Sequence, residues 1–296
     1  MKDYLNEFNS YLSLIKKSSR NTIDSYKSDV LKFWDFLSDN NIYDTSIASE
    51  EIINSYIISF NNAGKSSSTI TRIVSSLKCY YKFLQSIGKR DVLPKIRSGI
   101  SKPTKSLPQF LDTSEVKLLL AQPDDTDPKG IRDKAMLELL YATGIRVSEL
   151  IEMEISALNL DLEIIKIKSD KSERVIPIYK DAIKTLSLYV KHVRPGIVTD
   201  VKQTKLFTNM SGAVLTRQGF WKILKYYADK AGITKDITPH TIRHSFAIHL
   251  LENGAELPDI KELLGHSDIS TTQVYSQIIK NKYSKSYRNF HPLAGK

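Results

Sequence analysis

Thr238–Gln277 reads TPHTIRHSFAIHLLENGAELPDIKELLGHSDISTTQVYSQ. Thr238 and Pro239 form a helix start, since a threonine side chain caps free backbone N–H groups and proline's fixed φ suits the first turn. The spacing predicts helices over 239–253, 257–264 and 271–279, with Gly265 closing the second. Two histidines and an arginine cluster near the first helix start, at His240, His244 and Arg243. His266 follows the Leu-Leu-Gly turn and Tyr275 lies nine residues beyond it. Every one of these groups can touch a phosphate or exchange a proton with one.

An arginine far upstream, Arg146 in YATGIRVSEL, extends the set. It follows Gly144 at a predicted helix start, where backbone N–H groups favour an anion. Arginine's planar fork matches two phosphate oxygens. His240 and Arg243 sit three apart on one helical face, so both can reach one phosphate, and a histidine can relay a proton near neutral pH. Taken alone, either arginine reads as a surface ion-pair partner, Arg146 with Glu149, and either histidine as a cap. Together they suit transesterification of a phosphodiester. That reaction needs cationic donors for the charge that builds on the non-bridging oxygens, a nucleophile and an acid for the leaving 5′ oxygen. Tyr275 is the candidate nucleophile among the chain's 15 tyrosines; a phenol needs cationic neighbours or a base to attack at neutral pH.

The segment LEIIKIKSDKSERVIPI breaks the helical pattern. Ile165 and Ile167 alternate with lysines, a polar turn follows, and Val175–Ile178 runs apolar, predicting a β-hairpin. A turn lysine could enter a DNA groove and protonate the leaving oxygen; Lys171 is the choice, with Lys168 beside it. His240, His244 and His249 also invite a metal reading, but no carboxylate completes a ligand set beside them. There is no Gly-x-Ser-x-Gly elbow for a serine hydrolase.

Outward from this core the chain is helical. Asp112–Glu115 is a capping pattern, and helices are predicted near 128–142, 146–153, 180–193 and 216–230. Residues 1–97 carry three apolar faces at three- and four-residue steps: Ile23 to Leu37, Ile52 to Phe60 and Ile70 to Leu84. With a first helix over Tyr4–Ile15 they predict a four-helix domain. Its connections carry Lys16, Lys17, Arg20 and Lys65 among Ser and Asn, a composition suited to phosphate contacts. Residues 98–107, SGISKPTKSL, form a basic, non-helical linker. The fold expected is mainly α with a small β-hairpin or sheet, in two domains (1–97 and 108–296) able to clamp a duplex.

The 296-residue chain carries 43 Lys and Arg against 33 Asp and Glu, a net charge of +10 that points to a polyanionic partner. Its one cysteine, Cys79, lies in an apolar helical pattern and reads as packing. No apolar run approaches the roughly 20 residues of a membrane span, and the polar start MKDYLNEF does not read as a secretory signal. A cytoplasmic, nucleoid-associated protein without a membrane partner is expected.

ATGIRVSEL resembles the first arginine box of the tyrosine recombinase family, and TPHTIRHSF through TTQVY resembles its second, most closely in Xer-type members. The resemblance covers about residues 108–280 by motif and the helical first half by pattern. It implies a site-specific recombinase needing neither metal nor cofactor. Arg146, Arg243 and His266 would hold the scissile phosphate and His240 would assist proton transfer. Lys171 would act as general acid and Tyr275 would form a 3′-phosphotyrosyl bond. Four protomers would act on two near-palindromic duplex sites through a Holliday junction, alone or with a paralogous recombinase. A tail after Tyr275 would exchange between protomers. Resolution of chromosome or plasmid dimers is the expected role, with a cell-division DNA translocase as a further partner. Integration or excision of a mobile element and a catalytically silent DNA-binding accessory role are the alternatives. One departure stands out: the family's usual Gly-Lys-Gly turn is here Lys168-Ser-Asp-Lys171, with a shorter loop.

Overall fold

A computed structural model describes residues 3–97, 108–169, 172–265 and 272–275. The chain divides into two compact units, Met1–Lys105 and Ser106–Lys296. The residues of the expected linker, 98–107, lie outside the described ones.

In the first unit, helix α1 (Asp3–Ser10) continues through a π-helical turn, Tyr11–Ile15. Helices α2 (Arg20–Asp39), α3 (Glu50–Asn62) and α4 (Ser67–Ser86) follow. Each of these three begins on a serine, Ser19, Ser49 or Ser66, whose hydroxyl accepts from the backbone N–H three residues on. The apolar faces meet in one core built around Phe8, Phe33, Ile53, Leu77 and Tyr81. Cys79 packs half-buried against it. Arg72 pairs with Asp29, which is buried and also accepts from Ser76 at 2.9 Å. That guanidinium braces the bundle.

In the second unit, Asp112 and Glu115 close the expected capping box on helix α5 (Thr113–Leu120). Helix α6 (Pro128–Thr143) is buried on nearly all sides and ends at Gly144, whose φ of 59° is left-handed. After Ile145, helix α7 (Val147–Glu152) starts with Arg146 in the capping position. The hairpin, β2 (Ile164–Ser169) and β3 (Ser172–Pro177), is joined by a strand outside the sequence reading, β1 (Leu158–Asn159). The order is β1-β2-β3, all antiparallel. Pairing runs from Ile164↔Pro177 to Ser169↔Ser172. Ile165, Ile167, Ile176 and Ile178 point into the core and Lys166 and Lys168 into solvent.

Helix α8 (Lys180–Leu188) runs on through a π-helical turn into α9 (Arg194–Ile197). Helices α10 (Arg217–Lys230), α11 (Pro239–Glu252) and α12 (Leu257–Leu264) complete the unit, and Thr272–Tyr275 is helical. Ser245 of α11 accepts from the backbone N–H of Leu111 at 2.8 Å, tying the start of the unit to the helix that carries Arg243. No helix among the described residues is long and apolar enough to cross a membrane.

Candidate functional site

A helix leaves its last carbonyls without intrahelical partners and carries partial negative charge there. At the end of α12 three arginines from three different elements take up this deficit. Arg174 of β3 donates from Nε to the Leu263 carbonyl at 2.9 Å. Arg243 of α11 donates from Nη2 to the Leu264 carbonyl at 2.7 Å. Arg146, before α7, donates from Nη2 to the Gly265 carbonyl at 3.2 Å. Gly265 itself has a φ of 63°, the left-handed cap expected of it.

Arg243 is only 3% exposed, and its Nη1 also donates to the Gly144 carbonyl at 2.7 Å. One planar fork therefore bridges the end of α6 to the end of α12. Burial, helped by the charge of Arg146, pulls the Arg243 guanidinium down to about 10, which leaves it cationic at neutral pH. Arg146 is more open, with 41% of its side chain exposed. Its backbone N–H donates to Glu149 at 2.7 Å, and its Nη1 lies 3.3 Å from the same carboxylate. The ion pair considered for Arg146 thus coexists with its place in the site. Burial pushes Glu149 up, but hydrogen bonds from Arg174 and Arg146 and their two charges outweigh this and hold the carboxyl below its ordinary range.

Gly144 is the hinge of this arrangement. A Cβ there would stand 2.3 Å from Cδ1 of Phe246 and 3.0 Å from Leu264, on a left-handed backbone. Gly144→Ala is therefore expected to cost about 2–4 kcal/mol, combining backbone strain with overpacking. Urea unfolding checks this, and a midpoint equal to that of the unsubstituted protein would contradict the packing described.

Tyr275 is 2% exposed, its ring among Phe246, Ala247, Ile248, Ile260 and Leu264. Its hydroxyl lies 2.9 Å from Nδ1 of His244. Burial pushes the phenol above its ordinary value, and Arg243 draws it partly back. His244, counted in the sequence among groups able to meet a phosphate or a proton but given no individual role except in the metal reading, is thus the side chain on the candidate nucleophile. Burial, then the charges of His240 and Arg243, lower His244 to about 4, so the ring is neutral at pH 7. Between pH 6.5 and about 4 the unfolded chain binds a proton that this folded imidazole refuses. Stability should therefore fall as pH drops through that window, and His244→Asn should flatten the slope. Urea midpoints at pH 7 and 5 test this; equal slopes in the two proteins would rule out His244 as the source.

His240 is exposed, its ring 6.4 Å from that of His244, and burial of part of the ring with the charges of Arg243 and Arg146 lowers its pKa. Of the six predicted site residues, the structure thus brings together Arg146, His240, Arg243 and Tyr275. Lys171 and His266 lie outside the described residues; Lys168, the other candidate acid, is exposed on β2. Sequence reasoning missed three members: His244, Glu149 as more than an ion-pair partner, and Arg174. For Arg174 a signal existed, because period-2 counting back from Ile178 and Ile176 puts residue 174 on the inward face.

The phage integrase family model matches residues 109–282, and that of the phage integrase N-terminal SAM-like domain matches residues 5–88. Among curated relatives, tyrosine recombinase XerD of Staphylococcus epidermidis is 40% identical, over 99% of this chain and 100% of its own length. The XerD of Listeria innocua is 41% identical over the same shares. Among solved structures, the XerH site-specific recombinase in its post-cleavage complex with palindromic difH substrate superposes with a TM-score of 0.76. It is 21% identical, with 95% of this chain and 84% of that one covered. XerA recombinase gives a TM-score of 0.55 at 25% identity, covering 98% and 99%. With both halves matched and full-length relatives at this identity, the chain belongs to the phage integrase family, the tyrosine recombinases.

Proposed function

We propose that this protein is a site-specific DNA recombinase that resolves chromosome or plasmid dimers in the cytoplasm, acting on the nucleoid as a tetramer on two near-palindromic sites. The observation that carries the reading is the convergence of Arg146 and Arg243 on one helix end, with the hydroxyl of Tyr275 held by the residue next to Arg243. Two fixed cations beside a phenol suit charge developing on a phosphodiester.

In this scheme the Tyr275 oxygen attacks the scissile phosphorus as its proton leaves, with His240 assisting the transfer. Arg146, Arg243 and His266 stabilise the charge on the non-bridging oxygens. The bond from phosphorus to the 5′ oxygen breaks, and that oxygen takes a proton from Lys171, or from Lys168 next along the hairpin. The 3′-phosphotyrosyl bond conserves the energy of the phosphodiester, and a 5′ hydroxyl from the other duplex reverses the step to complete exchange. Tyr275 leaves its bond to His244 in order to attack. The basic helical unit adds phosphate contacts, and the segment after Tyr275 docks on a neighbouring protomer. A paralogous recombinase and a cell-division translocase are the partners this role calls for.

Support comes from the full-length XerD relatives and from neighbours solved on DNA, such as XerH on its difH site. The test is covalent capture. Protein is incubated with sheared host DNA and denatured in detergent, and the retained DNA is sequenced. The adduct is then digested and the nucleotide-bearing peptide identified by mass spectrometry. One short near-palindromic site near the replication terminus, with the nucleotide on Tyr275, is the expected result. Recovery of mobile-element ends would make the protein an integrase. DNA binding without any adduct would sink the enzymatic reading and leave an accessory DNA-binding protein.

A further inference from the structure

Arg174 stands where an apolar residue would be expected. It pairs with Ile167 across the hairpin, shares the inward row with Ile176, and 8% of its side chain is exposed. A buried guanidinium is costly unless its hydrogens find acceptors of matching geometry. Those of Arg174 do. Nη2 donates to both oxygens of Glu149, at 3.0 and 2.9 Å, and Nε to the Leu263 carbonyl at 2.9 Å. Nη1 packs against Gly265, where a Cβ would come within 2.8 Å of it.

These are the supports of Arg146. The guanidinium of Arg146 rests on two acceptors, Glu149 and the Gly265 carbonyl. Arg174 bonds the first and packs against the residue that carries the second. A side chain 41% exposed does not hold one orientation unless something fixes it. Arg174 is itself nearly buried, 8% of its side chain exposed, and is held by the bonds from Nε and Nη2. We propose that Arg174 is a positioning residue for phosphodiester cleavage, holding Glu149 and the end of α12 in register so that the exposed edge of Arg146 meets a phosphate oxygen. The assignment rests on the recombinase reading above. Lysine cannot replace it, because a point charge does not span a carboxylate and a carbonyl in one plane.

The test compares two cleavage rates within each protein preparation. A nicked duplex carrying the captured site is made with an ordinary scissile phosphodiester or with a methylphosphonate there. The methyl group removes one negative charge and so lessens the demand on Arg146. The ratio of the two rates is independent of how much protein is folded, so a purely structural role cannot move it. For Arg174→Lys, phosphodiester cleavage should fall about 100-fold, the scale of a misplacement of about 1 Å. Affinity for the duplex should stay within about threefold, and the methylphosphonate ratio should rise at least about tenfold, as for Arg146→Ala. Arg174→Gln, which keeps a planar donor but removes the charge, should shift the ratio in the same direction, and it decides the matter if Arg174→Lys yields no folded protein. An unchanged ratio, or phosphodiester cleavage at the unsubstituted rate, overturns the proposal. Failure of the unsubstituted protein to form any adduct is seen first and strikes the recombinase reading instead.

Discussion

Tyr275→Phe is expected to bind duplex DNA with full affinity and form no covalent adduct, a loss on the order of 10⁵-fold or more, as for removal of a nucleophile acting in concert with its partners. The substitution removes one oxygen. The ring keeps its place among Phe246, Ile248 and Leu264, so the apolar cluster is undisturbed. What is lost is the hydrogen bond to Nδ1 of His244, worth about 1 kcal/mol. A urea midpoint close to that of the unsubstituted protein, together with an adduct too scarce to detect, is the expected pair of results. Adduct formation at a normal rate would mean that another of the 15 tyrosines attacks.

Arg243→Lys should reduce both cleavage and stability. The 3% exposed fork of Arg243 joins the Gly144 carbonyl to the Leu264 carbonyl, each at 2.7 Å. A lysine ammonium reaches one of these and leaves the other buried acceptor without a partner. Stability should drop by about 2–4 kcal/mol from the lost acceptor and the poorly housed charge. Cleavage should fall about 10³-fold, the effect of removing one well-placed donor to a developing oxyanion. Arg146→Lys is the control. With 41% of its side chain in solvent, its ion pair contributes less than about 1 kcal/mol. It should cleave poorly while unfolding almost normally. Single-turnover cleavage and urea unfolding on both proteins separate the two roles, and an Arg243→Lys protein as stable as the original would contradict the bridging geometry.

Much of the fold was legible because its signals are local. The apolar steps from Ile23 to Leu37 and from Ile70 to Leu84 describe α2 and α4, each started by a serine cap visible in the sequence. The cap at Asp112, the Thr238-Pro239 start and the glycines at 144 and 265 could be read the same way. β1 was missed because two residues cannot show a period. The site was legible where motif and chemistry coincide, at Arg146, His240, Arg243 and Tyr275. It was not where the third dimension decides. His244 and Tyr275 are separated by 31 positions in sequence, and nothing at either end announces their contact. In a hairpin rich in lysine, Arg174 looks like one more surface cation until its parity along the strand is counted. Arg72 of α4 likewise looks in the sequence like a surface cation, although buried Asp29 claims it.

The arrangement at the end of α12 also constrains how relatives can be recombined with one another in the laboratory. The carbonyls of residues 263, 264 and 265 are each met by an arginine from a different place in the chain: 174, 243 and 146. A chimera joined between α7 and β3, or between α11 and α12, asks side chains from one parent to land on a backbone end from the other. Joints placed before residue 128, upstream of α6, keep the donors and their shared acceptor together. Swapping the helical first unit between relatives should therefore be tolerated far better than an exchange that cuts the second unit downstream of α6.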